Sequence, residues 1–429
     1  MGSYNVLLIG SGGREDAIAW KLSKSERLEQ LYTAPGNPGT SRFGTNVTLN
    51  TESATDVITF VEEKSIDLVV IGPEKPLVDG MADRLEEEGI PVFGPRREAA
   101  MLEGSKEFAK QFMDQYNIPT AAYRSFQGGE LSEVMAWIRE QDRYPVVLKA
   151  DGLAAGKGVF ICEDAEEAQK RLNQMREEPA LKAASGTVVV EEFLHGEELS
   201  VFVISDGYTA RYLHNAQDHK RVGEGDIGLN TGGMGAYCPA PLMTPELLER
   251  IDREIVVPTV TGMQLNDTPY KGVIYLGLMI TADGPKVIEY NCRFGDPECQ
   301  VILPALENDL LELMLAVNEQ RLDEKEIRID NRYRCCVVLA SGGYPEAYEK
   351  GKEITGIDEV DSEALVFQAG TATENGTLVT SGGRVLNVVG SGDTLQHAIS
   401  HVYQNVEKIG FENAYYRRDI GAKGLRRLS

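Results

Sequence analysis

Apolar runs and amphipathic stretches alternate along the first hundred residues. YNVLLIG (residues 4–10) reads as a strand buried on both faces, and GREDAIAWKLSKS as the helix after it. EQLYTAPG, ATDVITFVEEKS, IDLVVIGPE, LVDGMADRLEEEG and IPVFGP continue as strand, helix, strand, helix, strand. Such alternation predicts a doubly wound parallel α/β domain whose ligand loops lie at the strand C-termini. A helix, SKEFAKQFMDQYN, then leads into a small α/β module containing EVMAWIREQ, YPVVLKA, AEEAQKRLNQM and GTVVVEEFL. A strand-rich part follows (LSVFVIS, YTARYLH, VIYLGLMIT, PKVIEYN), with helices at PELLERIDREIVVPTVTGM and ALENDLLELMLAVNEQ. The last hundred residues read as a separate, small α+β piece: YRCCVVLAS, ALVFQAG, a hairpin LVTSGGRVLNVV and a helix TLQHAISHVYQNVEKI.

The 429 residues carry 43 Lys and Arg against 67 Asp and Glu, a net charge of −24 without an acidic tail. That balance argues against general binding to nucleic acid or an anionic membrane. It leaves room for a small phosphorylated ligand at a local basic site. No apolar run is long enough to span a bilayer, and the first residues lack the basic and apolar regions of a signal segment. None of the six cysteines forms a C-x-x-C pair, so zinc is not expected, and reduced thiols fit a cytoplasmic protein. His397 and His401 stand four apart on a predicted helix, but no third ligand is near in sequence, so they read as helix surface.

Two glycine-rich loops fail the familiar nucleotide patterns. IGSGGRE has Glu15 where a dinucleotide fingerprint needs Gly, and the second strand ends in Thr33-Ala34 without a ribose-binding acid. A phosphate at the helix N-terminus, beside Gly12 and Gly13, remains open, as does a simple tight turn. KADGLAAGKGVF is one residue short of a P-loop, and Gly158 stands where Ser or Thr would hold magnesium. Lys149 and Lys157 amid small residues suit a lid that folds over phosphates. In VVVEEFLHGEELS, a strand delivers Glu191 and Glu192, then the apolar pair Phe193-Leu194, then Glu198, which suits an adenine between apolar walls and a carboxylate on a ribose.

KVIEYNCRFGDPE holds the densest charge. If the strand persists through Asn291, then Glu289 and Asn291 share a face and offer the oxygen ligands that Mg²⁺ prefers. Arg293 suits a bidentate contact to a phosphoryl or carboxylate group, or alternatively a buried ion pair with Glu289.

In this order the stretches resemble the ATP-grasp family, and the likeness runs through GGRE, APGNPGT, LEGSK, KADGLAAGKGV, QDHKRV, NTGGMGAY, NCRFGDPE and YRRDIG across most of the chain. The resemblance implies an N-terminal substrate-binding domain at 1–103, an ATP-grasp core of two α+β modules at 104–328 with its lid at about 123–192, and a C-terminal α+β domain at 329–429. It implies ATP with Mg²⁺, or Mn²⁺ in its place, and ligation of glycine to 5-phosphoribosylamine through a glycyl phosphate. The alternative is another carboxylate–amine ligase of the same family with a different acceptor.

Lys106, Lys149 and Lys157 are then expected on phosphates, and Glu191, Leu194 and Glu198 on adenosine. Glu289 and Asn291 are expected on the metal, and Arg293 with Lys157 at the transferring phosphoryl group. Asp218, Lys220, Thr231, Gly232 and Gly233 are expected on substrate, with Gly12, Gly13, Asn37, Pro38 and Gly39 at the phosphoribosyl end. Asp16, Leu229 and Cys299 depart from the His, Pro and Thr usual in the resembled motifs. A cytoplasmic monomer, at most a weak dimer, is expected, with small-molecule partners only.

Overall fold

A computed structural model describes residues 2–128, 131–153, 158–178, 181 and 186–428. Five strands, β1 (Tyr4–Gly10), β2 (Leu28–Pro35), β3 (Thr45–Asn46), β4 (Leu68–Ile71) and β5 (Val92–Phe93), form a parallel sheet in the order β3-β2-β1-β4-β5. Val6 to Ile9 and Leu68 to Ile71 are buried on both faces, as the unbroken apolar runs require of central parallel strands. The chain order reverses between β1 and β4, so the loops leaving β1, β2 and β4 gather at one edge. The helix expected over residues 77–89 is two helices, Glu74–Val78 and Met81–Glu87, because Gly80 adopts φ +90° between them.

A second sheet holds β6 (Tyr123–Gln127), β7 (Val146–Ala150), β8 (Val159–Cys162) and β9 (Thr187–Glu192) in the order β6-β9-β7-β8, all antiparallel. It packs on helices Leu131–Gln141 and Ala165–Glu177 around a core of its own that includes Val134, Ile138, Leu148, Leu172 and Val190.

The largest sheet runs β16-β15-β10-β11-β14-β17-β21-β18, with β22 (Ala414–Tyr415) on the side of β17. Its members are β10 (Glu197–Asp206), β11 (Ala210–Asp218), β14 (Gly235–Cys238), β15 (Lys271–Thr281), β16 (Gly284–Asn291), β17 (Tyr333–Ser341), β18 (Leu365–Gln368) and β21 (Arg384–Gly392). The last hundred residues are therefore not a free-standing sheet: β14 pairs with β17, Gly235 opposite Val337. The expected hairpin at residues 378–389 does not form either. β20 (Thr377–Thr380) pairs with β19 (Thr371–Glu374), and β21 turns away at Gly382 to pair with β17 and β18. Gly382 packs against Gly370 so closely that a Cβ on Gly382 would lie 2.8 Å from the Gly370 Cα. A small ladder, β12 (Arg221–Gly223) with β13 (Ile227–Asn230), projects from the end of β11. Among the described residues no helix is long and apolar enough to cross a membrane.

Candidate active site

β16 sets the site. Glu289 and Asn291 lie opposite Gly277 and Tyr275 of β15, so their side chains share one face. The register slips between Gly277 and Leu278, leaving Ile288 as an extra residue whose carbonyl accepts from Lys149 Nζ at 3.1 Å. Gly277 makes room for Glu289, since a Cβ there would stand 2.9 Å from the Glu289 Cγ.

Three lysines from three elements converge on this strand. Lys149 ends β7 and is buried. Lys106 opens the helix Lys106–Gln115, capped by Ser105, and donates to the Gly152 carbonyl at 3.1 Å at the entry to the lid. Lys220 follows β11 and stands 3.2 Å from Glu198 and 3.4 Å from Glu289. Lys220, then Lys149 and Lys106, hold the Glu289 carboxyl at about 2 against the opposing effect of burial. Burial pushes the Lys106 ammonium below its ordinary range, and Glu289 offsets part of that shift. Asp218 is driven the other way. Burial beside Glu298, Glu198 and Glu289 raises it to about 8, although Lys220 opposes the rise.

Glu191, expected on adenosine, has its carboxylate on two lysines, buried between Lys149 Nζ at 2.9 Å and Lys110 Nζ at 3.0 Å. Leu194 lies half-buried in the link from β9 to β10, and the Glu198 side chain remains about half exposed beside Lys220. Lys157 lies outside the described residues.

Arg293 is held on the protein. Its guanidinium donates to Glu103 at 2.7 Å, Asn291 Oδ1 at 3.0 Å and Glu74 at 3.3 Å. It therefore orients Asn291, and the ion pair with Glu289 that the sequence left open is replaced by pairs with Glu103 and Glu74. The remaining lone pairs of Asn291 and the ionised Glu289 form an all-oxygen donor set on one strand face, a chemistry that fits Mg²⁺ or Mn²⁺.

The phosphoribosyl-end candidates form a second group at the β1 and β2 loops. Glu15 folds back to accept from Gly12 N–H at 2.6 Å, and Asp296 accepts from Arg14 N–H at 3.3 Å. Two of the chain's own carboxylates thus occupy the helix N-terminus beside Gly12 and Gly13. Asn37 donates to the carbonyls of Ser11 and Gln368, and its Oδ1 accepts from the N–H groups of Gly39 and Thr40. Pro38 and Gly39 follow in that pinned turn. Arg14 donates to the Phe294 carbonyl at 3.1 Å, and Arg384 donates to the carbonyls of Asp296 at 2.6 Å and Gly232 at 2.8 Å. Residues 293–296 therefore connect the two groups. Thr231 closes back on the Lys220 carbonyl through both N–H and Oγ1, and Gly233 donates to Thr231 Oγ1.

Asp16 is buried and bonded to Arg42 at 2.8 Å and to the Gln368 N–H at 2.7 Å, tying the first helix to β18. Cys299 is buried behind Arg14, and Leu229 is exposed on β13. His401 accepts from the Ser391 N–H, and among the described residues no cluster suited to a metal forms around it. Sequence reasoning missed Lys110, Glu103, Glu74 and Glu298. Lys110 had a local signal, four residues after Lys106 on the same helix face, and Glu298 closes the charge-dense KVIEYNCRFGDPE.

A lid sheet, lysines from separate elements and an oxygen-bearing strand end define an ATP-dependent ligase of the ATP-grasp class. The phosphoribosylglycinamide synthetase family matches through three models: its N domain over residues 4–103, its ATP-grasp (A) domain over 104–299 and its C domain over 334–423. The chain belongs to the phosphoribosylglycinamide synthetase family. The phosphoribosylamine–glycine ligase of Agrobacterium fabrum is 50% identical over 98% of this chain and 99% of that protein. That of Vibrio vulnificus is 47% identical over 99% of each. The crystal structure of the Thermotoga maritima phosphoribosylamine–glycine ligase superposes with a TM-score of 0.84 at 37% identity, over 97% of this chain and 100% of that one. The biotin carboxylase domain of the Hydrogenobacter thermophilus 2-oxoglutarate carboxylase shares the fold, with a TM-score of 0.74 at 18% identity over 97% of this chain and 92% of that one.

Proposed function

We propose that this chain joins glycine to 5-phosphoribosylamine, with ATP cleaved to ADP and phosphate, to give glycinamide ribonucleotide in purine biosynthesis. The observation that carries this is the match of all three family domains in order to a chain whose β16 brings Glu289 to 3.4 Å from Lys220, with Asn291 on the same strand face. The glycine carboxylate attacks the γ-phosphate and ADP leaves. The amine then attacks the acyl carbon of glycyl phosphate, and phosphate departs. Both steps need positioning and charge neutralisation more than a nucleophile–base pair.

Glu289 and Asn291 would hold Mg²⁺, with Mn²⁺ as a substitute, and the bound ion would neutralise charge between phosphate oxygens. Lys106, Lys149 and Lys157 would take the phosphates, Leu194 and the Glu191 backbone the adenine, and Glu198 the ribose. The Glu191 carboxylate would position Lys149. Arg293 would act at the transferring group while it orients Asn291. Asp218, Lys220 and Thr231 to Gly233 would hold substrate at the acyl centre, with Gly12, Gly13 and residues 37–39 at the phosphoribosyl end. Three functional divisions, 1–103, 104–328 and 329–429, suit this distribution. Six unpaired cysteines suit a reducing, cytoplasmic setting, and we infer a monomer.

The test is ADP release with MgATP, glycine and phosphoribosylamine generated in place, each omitted in turn. Release that needs all three, with a product of the mass of glycinamide ribonucleotide, supports the assignment. Release with another amino acid in place of glycine, or without the ribosylamine, would move the chain to a different acceptor.

A further inference from the structure

The β12–β13 ladder begins one residue after Lys220 and ends one residue before Thr231, so its placement fixes both. Among the described residues it pairs with no other strand, and a two-stranded ladder is marginal by itself. It has little apolar anchorage, since Ile227 and Leu229 are 68% and 50% exposed. What holds it comes from almost two hundred residues further along. Arg417, with no exposed surface, donates from one nitrogen to the Arg221 carbonyl and to Asp226 Oδ1, both at 2.9 Å. Its other nitrogens make a fork to Asp419 at 2.8 and 2.7 Å, and Asp419 accepts from the Gly225 N–H at 2.8 Å. Tyr415 donates to the Val222 carbonyl at 2.7 Å.

We propose that Arg417 is a positioning residue for Lys220: from the C-terminal segment it clamps the β12–β13 ladder, and so holds the Lys220 ammonium between Glu198 and Glu289. A buried guanidinium that spends its donors on one carbonyl and two carboxylates is a directional anchor, which a hydrophobic plug would not be. The bond to the Arg221 carbonyl acts one residue from Lys220. This inference rests on the proposed place of Lys220 beside the metal-binding carboxylate.

The test compares wild type with Arg417→Ala, Arg417→Lys, Asp226→Asn, Lys220→Met and the Arg417→Ala/Lys220→Met double variant. Two quantities are measured: the Mg²⁺ concentration that half-saturates ADP binding, by calorimetry, and kcat and KM for ligation. Lys220 competes with a metal for Glu289, so freeing it lowers the Mg²⁺ midpoint. Loss of its charge at the acyl centre lowers kcat about tenfold, the worth of one charge-assisted bond. Arg417→Ala and Asp226→Asn are expected to move both quantities in the direction of Lys220→Met, Arg417→Lys to restore part of the loss, and the double variant to match Lys220→Met alone. The proposal is overturned if Arg417→Ala leaves the Mg²⁺ midpoint unchanged, or if its effect adds in full to that of Lys220→Met. Asp226→Asn, on a partly exposed carboxylate, carries the same decision should Arg417→Ala not fold. If the wild type makes no glycinamide ribonucleotide while the ADP titrations shift together, the substrate assignment falls and the clamp stands.

Discussion

Lys149 and Glu191 are diagonal neighbours on the β7–β9 pair, both buried, their charged atoms 2.9 Å apart. Lys110 completes the group from the helix below, so one carboxylate serves two ammonium groups. Burial brings Lys110 down to about 8, with Glu191 resisting the shift. Glu191→Gln leaves both lysines without their counter-charge, and breaking such a buried pair costs about 3 kcal/mol. Denaturant unfolding should register that loss as a lower midpoint with an unaltered slope. ATP binding should weaken as well, because Lys149 loses its direction toward β16.

The small side of Gly277 governs Glu289. Alanine there would place a methyl 2.9 Å from the Glu289 Cγ and force the carboxylate off its position beside Asn291. Gly277→Ala is expected to raise the Mg²⁺ requirement for ADP formation about tenfold, the loss of one good ligand contact. Circular dichroism should remain that of the wild type. A Mg²⁺ titration that overlays the wild type would mean that Glu289 is not placed by this contact.

Glu289→Ala should raise the magnesium requirement and slow phosphoryl transfer sharply. The wild-type carboxyl, held at about 2 by Lys220 in the first place, stays ionised at every working pH. Its own titration, roughly four units below pH 6, should therefore leave metal binding unchanged between pH 6 and pH 8 apart from the charge change of Asp218 at about 8. A steep change in that interval would show that another group sets metal binding.

Two buried histidines predict acid sensitivity. Burial lowers His214 and His219 to about 4, from near 6.5 in the unfolded chain. The unfolded chain then binds more protons between these values, so stability is full above pH 6.5 and is lost as pH falls toward 4. Each histidine contributes a slope of about 1.4 kcal/mol per pH unit in that window. Among the described residues His214 has no hydrogen-bond partner on either ring nitrogen, so His214→Leu should remove its share of the slope without removing a bond. Urea unfolding of the two proteins at pH 7 and pH 5 gives the comparison. Equal differences at both pH values would mean that His214 titrates in the folded chain as it does in the unfolded one.

The strand patterns were legible because burial leaves a periodic record: YNVLLIG is unbroken and lies at the centre of a parallel sheet, and Glu289 and Asn291 obey the two-residue repeat. Charged partners leave no such record. Glu191 looks free in VVVEEFL, and nothing local says that Lys110 and Lys149 will close on it. Gly12 and Gly13 read as an open helix N-terminus, and nothing local says that Asp296, far along the chain, accepts from the Arg14 N–H there. The break at Gly80 was hidden for a different reason, since a single left-handed glycine interrupts an otherwise continuous apolar stripe. Lys157 lies outside the described residues, and its place on phosphates is an expectation from sequence.

The sheet that begins at β16 and passes through β14 into β17 and β21 makes the strand of Glu289 and Asn291 and the last hundred residues one hydrogen-bonded fabric. Evolutionary exchange of the C-terminal part between relatives is thereby constrained. A transplanted segment must reproduce the register of Val337 on Gly235 as well as fold, and it must bring its own arginine to the Arg221 carbonyl. Chimaeras joined in the loop before β17 should therefore inherit or lose activity according to the match at this seam, and overall sequence identity should be a poorer guide.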